Sequence, residues 1–161
     1  MRRSSRRFRP SLQEFHRQFV GGVMPGIAGQ WRVEPVQVGS HTPPPPWNIE
    51  YMMRDAMENL AGRMEYTGDD PALQIEALAY AECAFPHVHP FKDFNGRTVR
   101  LFCWFLATRK FGLPISRTWV EAGTPAASEY INALCEFDLA KNCIPMRDFW
   151  VQNRIDPTLA H

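Results

Sequence analysis

An all-α domain, a compact helical bundle carrying one small β-hairpin, is the fold this sequence predicts, on three observations. Apolar residues recur three and four apart in successive blocks bounded by proline and glycine, the spacing of helices with one buried face. Only the stretch from Trp31 to Gly39 alternates apolar and polar residues in the manner of strands. With 161 residues, 45% of them hydrophobic, the chain is one domain that buries a core without disulfides or structural metal.

Ser11-Leu-Gln-Glu14 has the form of a capping box and opens a helix to about Val20, with Phe15 and Phe19 four apart on a core-packing face. Gly21-Gly22, Pro25-Gly26 and Gly29 break it. Trp31, Val33, Val36 and Val38 then read as a short irregular hairpin interrupted at Pro35, and Pro43 to Pro46 form a stiff extended connection that ends it. A second helix starts at or near Asn48, with Tyr51, Met52, Ala56, Leu60 and Met64 as its buried stripe, and Thr67 to Asp70 is a polar loop. Pro71 opens a third helix carrying Leu73, Ala77, Leu78, Ala81 and Phe85 and closed by Pro86. The fourth runs from Asn95, its N-cap, to Phe111 and stops at Gly112-Leu-Pro114, a glycine cap followed by a proline. Helices over Pro125 to Lys141 and Pro145 to Arg154 complete the set, and no internal repeat occurs.

The formal net charge of +1 hides an uneven layout, because Arg2, Arg3, Arg6, Arg7 and Arg9 crowd the start. Residues 1–10 are read as a disordered basic tail, 11–155 as the folded domain and 156–161 as a C-terminal tail. The head lacks the apolar stretch of a secretory signal, and no run approaches a transmembrane span, so no membrane partner is expected. Without an attached recognition helix the arginines make no DNA reader, and nucleic acid is set aside as a partner. Cys83, Cys103, Cys135 and Cys143 form no C-x-x-C pair and read as buried reduced thiols, which points to the cytosol, the cell's own or that of another cell into which the protein is delivered.

The chemistry concentrates in His89-Pro-Phe-Lys-Asp-Phe-Asn-Gly-Arg-Thr-Val-Arg100 at the mouth of the fourth helix. A helix N-terminus offers unpaired N–H groups and the positive end of its dipole, so Asn95-Gly96-Arg97 seats an anion. Arg97 and Arg100, three apart, add two permanent charges. His89 and Asp93 lie just upstream, where a loop can hold a general base and a metal-binding carboxylate over the same anion. Taken singly, His89 could cap the preceding helix and Asp93 could be an ordinary acid near a helix start. His87-Val-His89 with Asp93 also has the look of a zinc cluster, but a third dependable ligand is missing, since His16, His41 and His161 lie in unrelated segments.

This stretch resembles the motif of the Fic (Fido) family of nucleotide-transferring proteins, H-P-F-x-D/E-G-N-G-R-x-x-R, at every fixed position except that of Phe94. Gly26-Ile-Ala-Gly-Gln-Trp-Arg32 is similar to the family's segment leading into a target-binding flap, so the likeness covers residues 12 to 114. The resemblance implies a protein adenylyltransferase that moves AMP from ATP to a hydroxyl side chain of a target protein. It implies that His89 is the base, that Asp93 holds Mg²⁺, that Asn95, Gly96, Arg97 and Arg100 bind the nucleotide, and that a flap including Arg32, Val33, Val36 and Val38 docks the target. Gly96 favours nucleotidyl transfer, since family members that move the γ-phosphate carry lysine there. The alternative is a catalytically weak interaction module of the same fold, or transfer of another nucleotide moiety.

Phe94 stands where the family has glycine. If that residue needs φ > 0, the side chain costs about 1–2 kcal/mol. Family members are often silenced by a glutamate four residues after a serine or threonine, paired with the second motif arginine. No glutamate of this chain has serine or threonine at that spacing. The resemblance then implies a separate, antitoxin-like inhibitory protein, a diverged brake, or a chain that needs none.

Overall fold

The structure, a computed structural model, describes residues 11–116 and 119–156. The basic head and nearly all of the expected C-terminal tail lie outside them. Six α-helices follow in order: α1 Leu12–Val20, α2 Ile49–Tyr66, α3 Pro71–Val88, α4 Asn95–Phe105, α5 Pro125–Ala140 and α6 Ile144–Asn153. α3 is the axle, packed against α2, α4, α5 and α6. Its sequence explains this, because Ile75, Leu78, Ala79, Cys83, Phe85 and Val88 leave it apolar nearly all round and all are buried.

Several local expectations are corrected. α1 has no capping box: Ser11 makes no side-chain cap bond, and Glu14 instead pairs with Arg17 and Gln18. Its buried face is Leu12, His16 and Val20, whereas Phe19 is 41% exposed. In α2 the stripe is Ile49, Met53, Ala56 and Leu60, with Tyr51 turned outward. α3 runs through Pro86 to Val88, because a proline removes only one helical bond and burial of Phe85 and Val88 holds the last turn. α4 widens into a π-helical turn over Leu106–Phe111, where the Thr108 hydroxyl donates to the Trp104 carbonyl (2.8 Å) and competes with the amide ladder. Gly112, at φ 68°, closes it as expected. Cys83 and Cys103 are buried, but Cys135 is exposed and Cys143 half-buried.

The hairpin is reduced to one antiparallel bridge. Val38 and His41 exchange N–H···O bonds of 3.0 and 2.9 Å around Gly39-Ser40, and no strand forms among the described residues. Pro35 and the prolines from 43 to 46 cannot donate to a ladder, and the Arg32 amide is already given to the Pro90 carbonyl (2.8 Å).

Under α5 and α6 lies a buried ion pair. Glu82 is fully buried and accepts two bonds from the Arg154 guanidinium, one of them 2.6 Å, and a third from the Trp150 indole (2.7 Å). The guanidinium also lies against the Tyr130, Phe149 and Trp150 rings. Burial opposes the charge on Arg154, and the Glu82 carboxylate more than offsets it, holding the pKa above its usual value.

Candidate active site

α3 ends at His89 and α4 opens with the amides of Asn95 to Arg97, the expected anion seat, and the loop from Pro90 to Phe94 joins them. His89 is the left-handed cap of α3 (φ 49°, ψ 60°), its amide bonded to the Phe85 carbonyl (3.1 Å). That turn swings the ring off the helix. Among the described residues the ring makes no hydrogen bond to another side chain, and the Pro86 backbone and Asp93 only partly oppose the lowering of its pKa. Burial and the nearby Arg32 charge lower the pKa of His89 below 6.5, which keeps the imidazole neutral and able to accept a proton.

Arg32 is 4% exposed and spends its guanidinium on the carbonyls of His89 (2.7 Å), Val88 (3.3 Å), Glu34 (2.9 Å) and Pro44 (2.6 Å). It ties this segment to the loop, and its guanidinium is taken up by backbone carbonyls. Val33 is 85% and Val38 39% exposed, Val36 is half-buried, and the amides of Val33 and Val36 have no backbone partner among the described residues.

Asp93 is exposed; one carboxylate oxygen accepts from the Phe94 amide (2.6 Å) and the other has no partner among the described residues. Asn95 is not the N-cap. It is the first helical residue, 3% exposed, and its side chain clasps both the amide and the carbonyl of Phe91 at 2.9 Å. Its contribution to an anion is therefore its backbone N–H, which with those of Gly96 and Arg97 lacks a backbone acceptor. A side chain at position 96 would press on the Arg100 guanidinium, 3.1 Å from where its Cβ would sit. Arg100 lies close to Tyr130, a phenol whose pKa burial pushes up and the Arg100 charge partly offsets. Arg97 lies over the Phe94 ring, 4.2 Å from its centroid. Among the described residues no carboxylate lies within ion-pair distance of Arg97 or Arg100. His87 does not face this mouth; it turns to Asp138 and His41, which removes the His87–His89–Asp93 zinc reading.

Phe94 is the N-cap and sits at φ 63°, ψ 15°, the left-handed region its family glycine would occupy freely. The strain is opposed by edge contact with Phe19 (6.0 Å) and by Arg97 stacked on the ring. Because the two effects are of similar size, about 1–2 kcal/mol each, Phe94→Gly should change stability by under about 1 kcal/mol, measured by urea denaturation. Arg97, released from the ring, should then raise ATP affinity.

His16 was not legible as a site residue. Its Nδ1 accepts from the Gly29 amide (2.9 Å), so Nε2 carries the proton and donates to the Asp93 carbonyl (3.0 Å), while the ring stacks on Phe91 at 3.8 Å. One histidine thus locks α1, the Gly29 turn and the loop together. The only signal was its place in the Leu12, His16, Val20 spacing. Burial lowers its pKa, as it does for His87 and His89. For such groups the stabilisation is present above 6.5 and is lost as pH falls through the lowered folded value. Wild-type stability should therefore fall as the pH drops below 6.5. His16→Leu should flatten that slope and, by leaving the buried Gly29 amide unpaired, cost about 1–3 kcal/mol.

The Fic/DOC family model matches residues 9–107. A "Protein adenylyltransferase Fic" of Drosophila willistoni is 38% identical over 90 residues, and one of Aedes aegypti 34%. Each match covers 56% of this chain, which spans only 17% of the length of these relatives. Among solved structures, the BepC protein of Bartonella tribocorum, a VirB-translocated effector determined with bound AMPPNP, has a TM-score of 0.64 at 18% identity, over 89% of this chain and 76% of that one. Fic-1 from C. elegans has a TM-score of 0.59 at 27% identity, over 87% and 39%. With the loop, the helix mouth and the fold in agreement and more than half of its residues matched, the chain belongs to the Fic/DOC family.

Proposed function

We propose that the chain is a protein adenylyltransferase, transferring AMP from ATP to a hydroxyl side chain of a target protein. The observation that carries this reading is the juxtaposition of His89, at the left-handed end of α3, with a helix mouth whose amides are open and whose two arginines, among the described residues, have no carboxylate partner. The target hydroxyl gives its proton to the unprotonated nitrogen of the neutral His89 imidazole as its oxygen attacks the α-phosphorus; the α–β bridge breaks and pyrophosphate leaves. Arg97, Arg100 and the amides of Asn95 to Arg97 take the phosphate charge, since this chemistry is mostly positioning and electrostatics.

Asp93 fits Mg²⁺, which takes one or two carboxylates with phosphates and water, because one of its oxygens is unpartnered on an exposed side chain. Bound there, the ion would offset phosphate charge. The target lies along the open flap backbone from Val33 to Val38 as an added strand. A separate protein offering a carboxylate to Arg100 would inhibit by displacing the γ-phosphate. Free thiols suit a reducing cytosol, the cell's own or another's, and among the described residues no helix is long and apolar enough to cross a membrane.

One comparison tests the division of labour. Calorimetry of ATP·Mg²⁺ should show Arg100→Ala binding at least about 10-fold more weakly, a charge-assisted contact being worth about 1.5–3 kcal/mol, and Val36→Pro binding like wild type while losing target modification. Unchanged affinity in Arg100→Ala would move the anion elsewhere.

A further inference from the structure

We propose that His41, His87 and Asp138 form a binding site for a divalent transition metal of the Zn²⁺ type, which clamps the flap to the ends of α3 and α5. Three distant segments converge here: His41 closes the flap bridge with Val38, His87 lies two residues before His89, and Asp138 is near the end of α5. One ligand atom from each lies within 4.8 Å of the others, on side chains only 15–20% exposed. Tetrahedral zinc with bonds of about 2.0–2.1 Å needs ligand atoms somewhat over 3 Å apart, so closure takes shifts of about an ångström.

The chemistry of each ligand fits. The His41 Nε2–H donates to the His87 carbonyl (2.8 Å), the outer bond that metal-bound histidines ordinarily make. This fixes the tautomer and turns the Nδ1 lone pair toward Asp138, 3.6 Å away. His87 presents Nδ1 to the same carboxylate at 2.7 Å. Its Nε2 faces the Lys141 ammonium at 2.9 Å, so in the metal-free chain Lys141 donates to Nε2 and His87 Nδ1–H to Asp138. The ammonium thus supplies the positive charge a cation would bring. On metal binding Lys141 swings into solvent and the His87 proton moves through water from Nδ1 to Nε2, leaving the imidazole neutral and Nδ1 free to ligate. Two imidazoles select transition metals over the oxygen-seeking Mg²⁺, which separates this site from Asp93. Three ligands leave a fourth position for water.

The test is calorimetry of Zn²⁺ against the full chain, made without a polyhistidine tag, stripped by chelator and kept in excess Mg²⁺. One site per chain is expected. His41→Ala and Asp138→Asn should each weaken it at least about 100-fold, while Asp93→Asn and Cys135→Ser leave it intact. Lys141→Asn, whose side chain tolerates the left-handed cap at φ 55°, should bind several-fold more tightly. That variant gains rather than loses, so misfolding cannot mimic it. Co²⁺ in place of Zn²⁺ should give visible d–d bands without thiolate charge transfer. Absent saturable binding, binding indifferent to both ligand variants, no tightening in Lys141→Asn, or a thiolate band would each overturn the assignment.

Discussion

His89→Ala is expected to lower kcat by about 10²- to 10⁴-fold, the contribution of a positioned general base, while ATP·Mg²⁺ affinity stays within about twofold. The reason is geometric. His89 ends α3 whereas the open amides and the two arginines belong to α4, so on the proposed function the ring serves the attacking hydroxyl and α4 the phosphates. A change in rate with unchanged ground-state binding is the signature of a group that acts only in the transition state. The wild-type pH–rate profile should add a second sign. Because burial and Arg32 lower the pKa of His89, its acid limb should fall below pH 6.5, with full activity retained above it. Affinity lost in proportion to rate, measured by calorimetry and single-turnover kinetics, would place His89 on the nucleotide instead.

Glu82→Gln should be the most damaging single change to stability, at about 3–5 kcal/mol, because it leaves the Arg154 charge buried among three aromatic rings without its counter-ion. Loss of either partner strands the other, whereas removal of both does not. Glu82→Leu with Arg154→Met should therefore recover most of the loss, since apolar side chains of similar volume often replace a buried pair at little cost. Urea denaturation of the two variants decides it. A Glu82→Gln protein within about 1 kcal/mol of wild type would mean that the pair is neither as dry nor as well coupled as its geometry indicates. The same variants report on the site, because Tyr130 lies against Arg154 and also close to Arg100.

What was legible in the sequence was local. The helices follow from spacing and caps, and His89 to Arg100 carries its meaning in consecutive residues that one loop and one helix start bring together. The rest depended on partners far along the chain. Arg32 reads as a flap residue until its four carbonyl partners are seen, three of them beyond the bend of the flap. His16 and Asp93 lie 77 positions apart, and His87 and Asp138 lie 51 apart. Neither bond leaves a periodic trace. The hairpin failed for a visible reason, its prolines, whose weight against a run of alternating valines only the folded chain settles. At Phe94 the sequence posed the question and only the backbone, at φ 63°, answered it.

The central claim is transfer of AMP, and the position of the label in ATP tests it most directly. The purified chain, with Mg²⁺ and a lysate, is incubated in parallel with ATP labelled at the α- or at the γ-phosphate. The account predicts protein-bound label from the α-phosphate alone, without any activating mutation, and none with His89→Ala. Label arriving from the γ-phosphate, or α-label that persists in His89→Ala, would contradict it.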